Sequence, residues 1–195
     1  MPRTVEQFKD MRKASQEKFV QAALELFARY GFEKTSVRMI AQHAGVSLGL
    51  IYNYFESKEA LLVTIFERGM QDVMKSFQEA NQGATPEKQL ECLIRSSFEI
   101  LHDHKAFWQV FYSLRAQPGI AEKLPRDMLE WHWHIHEQLE RYLRQLKHPN
   151  PKATAWVLFA AIDGAAQHWA LQKDYPLEAV QEAMIETFTG SASGR

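Results

Sequence analysis

Residues 35–55 read TSVRMIAQHAGVSLGLIYNYF, and this stretch decides the fold. Val37, Ile40, Ala41 and Ala44 recur at the three- and four-residue steps that give a helix one apolar face. Thr35 or Ser36 can cap that helix, because a hydroxyl accepts from the unpaired N–H groups of a first turn. Gly45 suits the turn that follows, where a positive φ costs a residue with a Cβ more. Ser47 then caps a further helix, expected to reach about Phe55. Val46 plugs the corner, Ile51 and Phe55 anchor the second helix from below, and Ala41 is small where the two must cross closely. Two short helices held at a fixed angle in this way are a helix-turn-helix.

By elimination, the other face of the second helix is exposed and carries Ser47, Leu48, Leu50, Tyr52, Asn53 and Tyr54. Hydroxyls and amides there can bond phosphate oxygens, while Leu48 or Leu50 can touch a thymine methyl. Ser36 sits at a helix start, a natural place for a phosphate. Arg38 in the first turn can reach a base edge, preferably guanine, and Lys58 can clamp the backbone. Plain surface is the competing reading, above all for Leu50, and a three-helix packing module without a ligand competes for the segment as a whole.

The longer stretch YGFEKTSVRMIAQHAGVSLGLIYNYFESKEALL resembles the DNA-binding region of the TetR family of bacterial regulators. The resemblance covers about residues 15–65. Gly31, Thr35, Ile40, Ala41, Ala44, Gly45, Val46, Ser47, Gly49, Tyr52, Phe55 and Lys58 fall on the family's pattern. It implies a homodimer of Ω-shaped subunits, a palindromic operator, and repression relieved by a small effector. It also implies DNA contacts from Ser36, Arg38, Ser47, Leu48, Leu50, Tyr52, Asn53, Tyr54 and Lys58. Asn53 stands where the family often has an aromatic or basic residue, and Leu50 where it often has a hydroxyl.

Outward from this motif almost every segment reads as helix. The spacing predicts an all-α chain of about nine helices, with a three-helix head on a helical body for ligand binding and dimerisation. Phe19, Ala23, Phe27 and Tyr30 mark the helix before the motif, stopped by Gly31. Ser57 caps the helix after it, which runs through Leu62, Phe66, Met70, Val73 and Phe77. At roughly 24 residues it would span about 36 Å, enough to join head and body without a flexible linker. Further helices begin at Pro86, near Phe107, after Pro125, at Pro151 and at Leu177, and the GSASGR tail reads as disordered. We expect a DNA-binding domain over 1–57 and a ligand-binding and dimerisation domain over 58–195. Residues 1–58 hold nine lysines and arginines against six acidic residues, while the remaining 137 hold fourteen against eighteen. A net charge of -1 therefore hides a mildly basic head on an acidic body.

The body is rich in large rings. Phe98, Phe107, Trp108, Phe111, Tyr112, Trp131 and Phe159, with His102, Asp163 and His168 as polar groups, are expected to line a pocket for an apolar or aromatic effector. For any single ring, plain core packing is the stronger reading. Ala153, Ala160, Ala161, Gly164 and Ala165 allow close helix approach. Helices over about 151–173 and 177–189, the second presenting Leu177, Val180, Met184 and Phe188, are expected to pair with their symmetry mates in a four-helix dimer core. His132 and His136 share a helix face at a spacing that can bind metal, but no Cys- or Glu-rich partner set accompanies them, so no metal and no cofactor are expected.

The sequence contains no HExxH, no Gly-rich phosphate loop and no CxxC, which argues against an enzyme. The competing class is a small-molecule binding protein or enzyme with a vestigial helix-turn-helix. No run of about 18 apolar residues suggests a membrane span. The N-terminus has no apolar signal core, and Cys92 is the only cysteine, so a cytoplasmic protein is expected.

Overall fold

The computed structural model describes residues 5–80, 85–115, 117 and 126–190. Among these residues the chain is helical, without a strand. The head comprises α1 (Val5–Tyr30), α2 (Val37–His43) and α3 (Leu48–Tyr52). The body follows as α4 (Lys58–Ala80), α5 (Pro86–Asp103), α6 (Lys105–Arg115), α7 (Arg126–Gln145), α8 (Pro151–Leu171) and α9 (Leu177–Thr189). The residues C-terminal to Gly190, expected to be disordered, lie outside the described residues.

Side-chain caps set the helix starts. Ser36 accepts from the Met39 N–H at 3.2 Å, Ser47 from the Leu50 N–H at 3.2 Å and Ser57 from the Ala60 N–H at 3.1 Å. Thr35 has a different task. It is buried, and its hydroxyl donates to the Gly31 carbonyl at 2.8 Å, which ties the end of α1 to the loop before α2. Gly31 and Gly45 take φ of 82° and 65°, so each turns the chain where a Cβ would be strained. The α3 helix is shorter than expected. The Tyr54 N–H folds back to the Ile51 carbonyl at 2.9 Å, so the chain turns at Asn53 and Tyr54 before Phe55 reaches the core.

Phe19, Ala23, Phe27, Phe32, Ile40, Ala41, Ile51 and Phe55 are buried and form the head's interior. The Phe27 and Phe32 rings meet edge to face at 5.1 Å, which fixes the turn between α1 and α2 against the helix that precedes it. In the body α5, α7 and α8 pack together, with α9 against α5 and α8. The Arg95 guanidinium reaches Glu182 at 2.7 Å and Glu91 at 2.9 Å, linking α5 to α9. The α6 helix packs against α1, α4 and α8, so it touches both halves of the molecule. At Gly69 the α4 backbone lies directly on the ring of Phe107. The α8 helix is apolar around most of its circumference, yet Val157 and Leu171 stand 60% and 56% exposed, so one of its faces has no cover among the described residues.

Candidate nucleic-acid interface and effector cavity

The exposed edge of α2 and α3 is assembled as the caps dictate. Ser36 and Arg38 face solvent at the start of α2, and Ser47, Leu50, Tyr52 and Asn53 face solvent along α3. Tyr52 is 51% exposed, a large ring that the head does not use for its own packing. Gly49 has open space where a Cβ would stand, so among the described residues nothing crowds the α3 backbone at that point.

Three expected contact residues also have roles within the fold. Leu48 is half-buried against the head core. Tyr54 is half-buried too, its ring edge-on to Phe19 at 5.3 Å, with the Arg12 guanidinium 5.3 Å above the ring. The Lys58 ammonium donates to the Phe32 carbonyl at 3.0 Å and lies 4.3 Å from the Phe32 ring centre, stapling the start of α4 to the α1–α2 turn. Beside them His43 bonds Glu25 at 2.7 Å, and the hydrogen bonds from His43 and then Gln21 hold the Glu25 carboxyl below its usual range.

A second feature lies inside the body, where five helices converge on an apolar cavity of about 60 Å³. Val73 comes from α4, Leu93 and Ile100 from α5, Trp108 and Tyr112 from α6, Ile135 and Leu139 from α7, and Phe159, Ile162 and Asp163 from α8. Its polar groups are satisfied. The Ser97 hydroxyl donates to the Leu93 carbonyl at 2.8 Å, and the Trp108 ring N–H to the Ile100 carbonyl at 3.4 Å. Asp163 accepts from the Tyr112 hydroxyl at 3.0 Å and from Arg115 at 2.9 Å, the latter reaching in from the exposed end of α6. Burial first, and the Asp163 charge second, push the Tyr112 phenol well above its ordinary range.

Of the residues expected around an effector, the structure brings Trp108, Tyr112, Phe159 and Asp163 to the cavity wall. Phe98 and Phe107 are buried in the surrounding core, and Phe111 is half-buried in a ring cluster with Phe66, Phe107 and Trp108. His102 and His168 face solvent, His102 over Trp169 and His168 against Tyr175. The side chain of Trp131 lies outside the described residues. Beside these rings stands an aliphatic wall of Val73, Leu93, Ile100, Ile135, Leu139 and Ile162, which the sequence pattern does not single out. Each sits in an ordinary apolar stripe, and nothing local distinguishes a cavity wall from core.

His136 is buried, its ring 4.1 Å from that of Trp156, and its Nε2 has no hydrogen-bond partner among the described residues. His132 lies against Trp133 at 4.9 Å. Among the described residues no group of three metal-ligating side chains forms, and no helix is long and apolar enough to cross a membrane.

The model of the tetR family of bacterial regulatory proteins matches residues 19–65, which spans the end of α1, both short helices and the start of α4. The uncharacterized HTH-type transcriptional regulator YerO of Bacillus subtilis (strain 168) is 38% identical over 47% of this chain, which spans 32% of that relative's length. The fatty acid metabolism regulator protein of the same organism is 26% identical over 86% of this chain and 90% of its own. The crystal structure of the transcriptional regulator FadR from Bacillus subtilis in complex with stearoyl-CoA has the same fold, with a TM-score of 0.72 at 22% identity over 90% of this chain and 98% of that one. The helix-turn-helix head is thus similar to that of the tetR family of bacterial regulatory proteins over residues 19–65, and the all-helical body behind it shares its fold with solved transcriptional regulators.

Proposed function

We propose that the chain is a homodimeric repressor that holds a palindromic operator with α2 and α3 and releases it when a long apolar ligand enters the body cavity. Residues 1–57 serve as the reading head and residues 58–195 as the sensor and dimer core. Ser36, Arg38, Ser47, Tyr52 and Asn53 contact DNA directly. Leu48, Leu50, Tyr54 and Lys58 complete that edge, Lys58 from a position already fixed by Phe32.

One observation carries the coupling. A single continuous helix, α4, holds Lys58 against the head and Val73 in the cavity wall, fifteen residues apart or about 22 Å along the axis. The cavity is also tight. At about 60 Å³ it has room for a few waters, whereas pockets that hold a drug-sized ligand measure roughly 300–1,000 Å³. A ligand must therefore stabilise a wider arrangement of α4, α5, α6, α7 and α8, and α4 passes the difference to the head. The ligand shifts the balance only by its preference for the wide state, and a coupling of about 1–3 kcal/mol is typical.

An acyl chain suits an aliphatic cavity, and the comparisons lend support: a fatty acid metabolism regulator is among the relatives, and a regulator of the same fold was crystallised with stearoyl-CoA. The test is operator binding by fluorescence anisotropy with and without long-chain acyl-CoA. We expect operator affinity to fall by about 5- to 150-fold. Acyl-CoA that binds, as read by a change in tryptophan fluorescence that a Trp108→Phe chain lacks, yet leaves operator affinity unchanged would sink the release mechanism.

The dimer is supported by the uncovered face of α8. Val157, Leu171 and the rim of Trp156 are exposed there, and α9 adds Val180 and Phe188 beside it. An isologous pairing of these two helices with their mates would bury that face and set two heads at a fixed separation.

A further inference from the structure

The family match begins at residue 19, yet α1 begins at Val5, so fourteen residues of regular helix precede the matched region. This extension is aimed by the recognition helix itself. Arg12 and Phe19 are seven residues apart, about 20° apart around the helix axis, and both meet the ring of Tyr54. Phe19 supports it at 5.3 Å, and the Arg12 guanidinium sits 5.3 Å from its centre. Tyr54 lies two residues beyond the end of α3, so its ring is a spacer that holds an exposed cation beside the DNA-reading edge.

Charge around the extension is sorted. Lys9 lies about 60° from Arg12 around the axis, while Glu6, Asp10 and Glu17 lie about 120–160° away. Lys9 and Arg12 are both exposed. Among the described residues the partner of Arg12 is the Tyr54 ring and no carboxylate. Its charge is therefore available to an external anion, and a guanidinium over a ring keeps its N–H fork directed outward.

We infer that Arg12, held on the Tyr54 ring, grips the DNA phosphate backbone next to the recognition helix, with Lys9 one turn further out on the same side. This rests on the reading of α2 and α3 as the DNA-contacting edge and extends that edge onto a third helix. A phosphate contact carries no base information, so Arg12 supplies affinity and register rather than sequence choice. Tyr54 thereby becomes a positioning residue for Arg12, which gives its half-buried ring a purpose that direct contact alone does not.

The salt dependence of DNA binding tests this, because each neutralised phosphate contributes about 0.9 to the slope of log affinity against log salt. The intact chain, Arg12→Ala, Arg12→Lys, the Lys9→Ala/Arg12→Ala pair and the control Lys88→Ala on α5 would be titrated against operator and unrelated duplexes. The helical fold of each variant would be checked by circular dichroism. With one Arg12 from each subunit of the dimer on the duplex, we expect Arg12→Ala to lower the slope by about 1.8 and to weaken both duplexes by a similar factor, and the double variant to lower it by about 3.6. Arg12→Lys should keep most of the slope and Lys88→Ala all of it. An intact chain that binds with a steep slope which Arg12→Ala leaves unchanged overturns the role of Arg12 alone. An intact chain that binds no duplex overturns this role together with the DNA-contacting edge on which it rests.

Discussion

Gly69 and Phe107 are in contact so close that a Cβ on Gly69 would lie 2.3 Å from Cζ of the ring. The ring has little room to yield, since it is buried and meets Phe66 at 5.7 Å and Trp108 at 4.9 Å. In an open helix Gly→Ala gains about 1 kcal/mol. Here Gly69→Ala should instead cost about 1–3 kcal/mol from overpacking. Thermal unfolding followed by circular dichroism should show a melting temperature lower by about 2–4 °C for each kcal/mol lost. Adding Phe107→Leu should recover part of the loss. A more stable Gly69→Ala chain would mean that α4 does not press on α6 as described.

Stability should also fall at high pH. The Tyr112 hydroxyl is buried and donates to Asp163, so ionising it would set a second negative charge beside that carboxylate. The folded chain thus holds the proton more tightly than the unfolded chain, whose tyrosines ionise near pH 10. The resulting stability is whole below about pH 10 and is lost as pH rises beyond it. Burial raises Tyr175 as well, which adds in the same direction. Urea midpoints measured between pH 8 and pH 11 should drop steeply for the intact chain and less steeply for Tyr112→Phe. At pH 7 that variant should cost about 1.5 kcal/mol, the lower end for a bond to a charged acceptor, because Arg115 still compensates Asp163. Equal pH slopes in the two proteins would contradict the assignment.

Val157 tests the assembly. Its side chain is 60% exposed on the uncovered face of α8, so a charge there has little to disturb within one chain. Val157→Asp should leave the helical signal intact and convert a dimer to a monomer in sedimentation at micromolar concentration. Operator affinity should fall with it, since two half-sites require two heads. A Val157→Asp chain that remains dimeric would place the interface elsewhere.

The head was the legible part of the sequence because its geometry is written in single residues. Ser36 and Ser47 each cap a helix, and Gly31 and Gly45 each take the positive φ that only a turn requires. The start of α4 was equally plain at Ser57. What local pattern missed was the end of α3, where Tyr54 has the composition of a helix residue but is turned by its packing on Phe19. The cavity was legible only in fragments. Its wall depends on which faces of five helices converge, and Phe98 and Ile100 look alike in sequence although one is core and the other wall. Arg12 had a faint signal, its seven-residue spacing from Phe19, that acquires meaning only once Tyr54 is seen between them.

If the exposed edge of α2 and α3 reads DNA, the chain must select a duplex sequence through it. Repeated selection of bound duplexes from a random library, run in parallel with the intact chain and with Tyr52→Ala, tests it most directly. Tyr52 is a sound choice because its ring is half exposed and its loss leaves the head core intact. The intact chain should enrich a palindromic sequence whose half-sites are spaced by about one helical turn or a multiple of it, and Tyr52→Ala, folded as judged by its melting curve, should enrich it weakly or not at all. Failure of the intact chain to enrich any duplex, or equal enrichment by both proteins, would contradict the account.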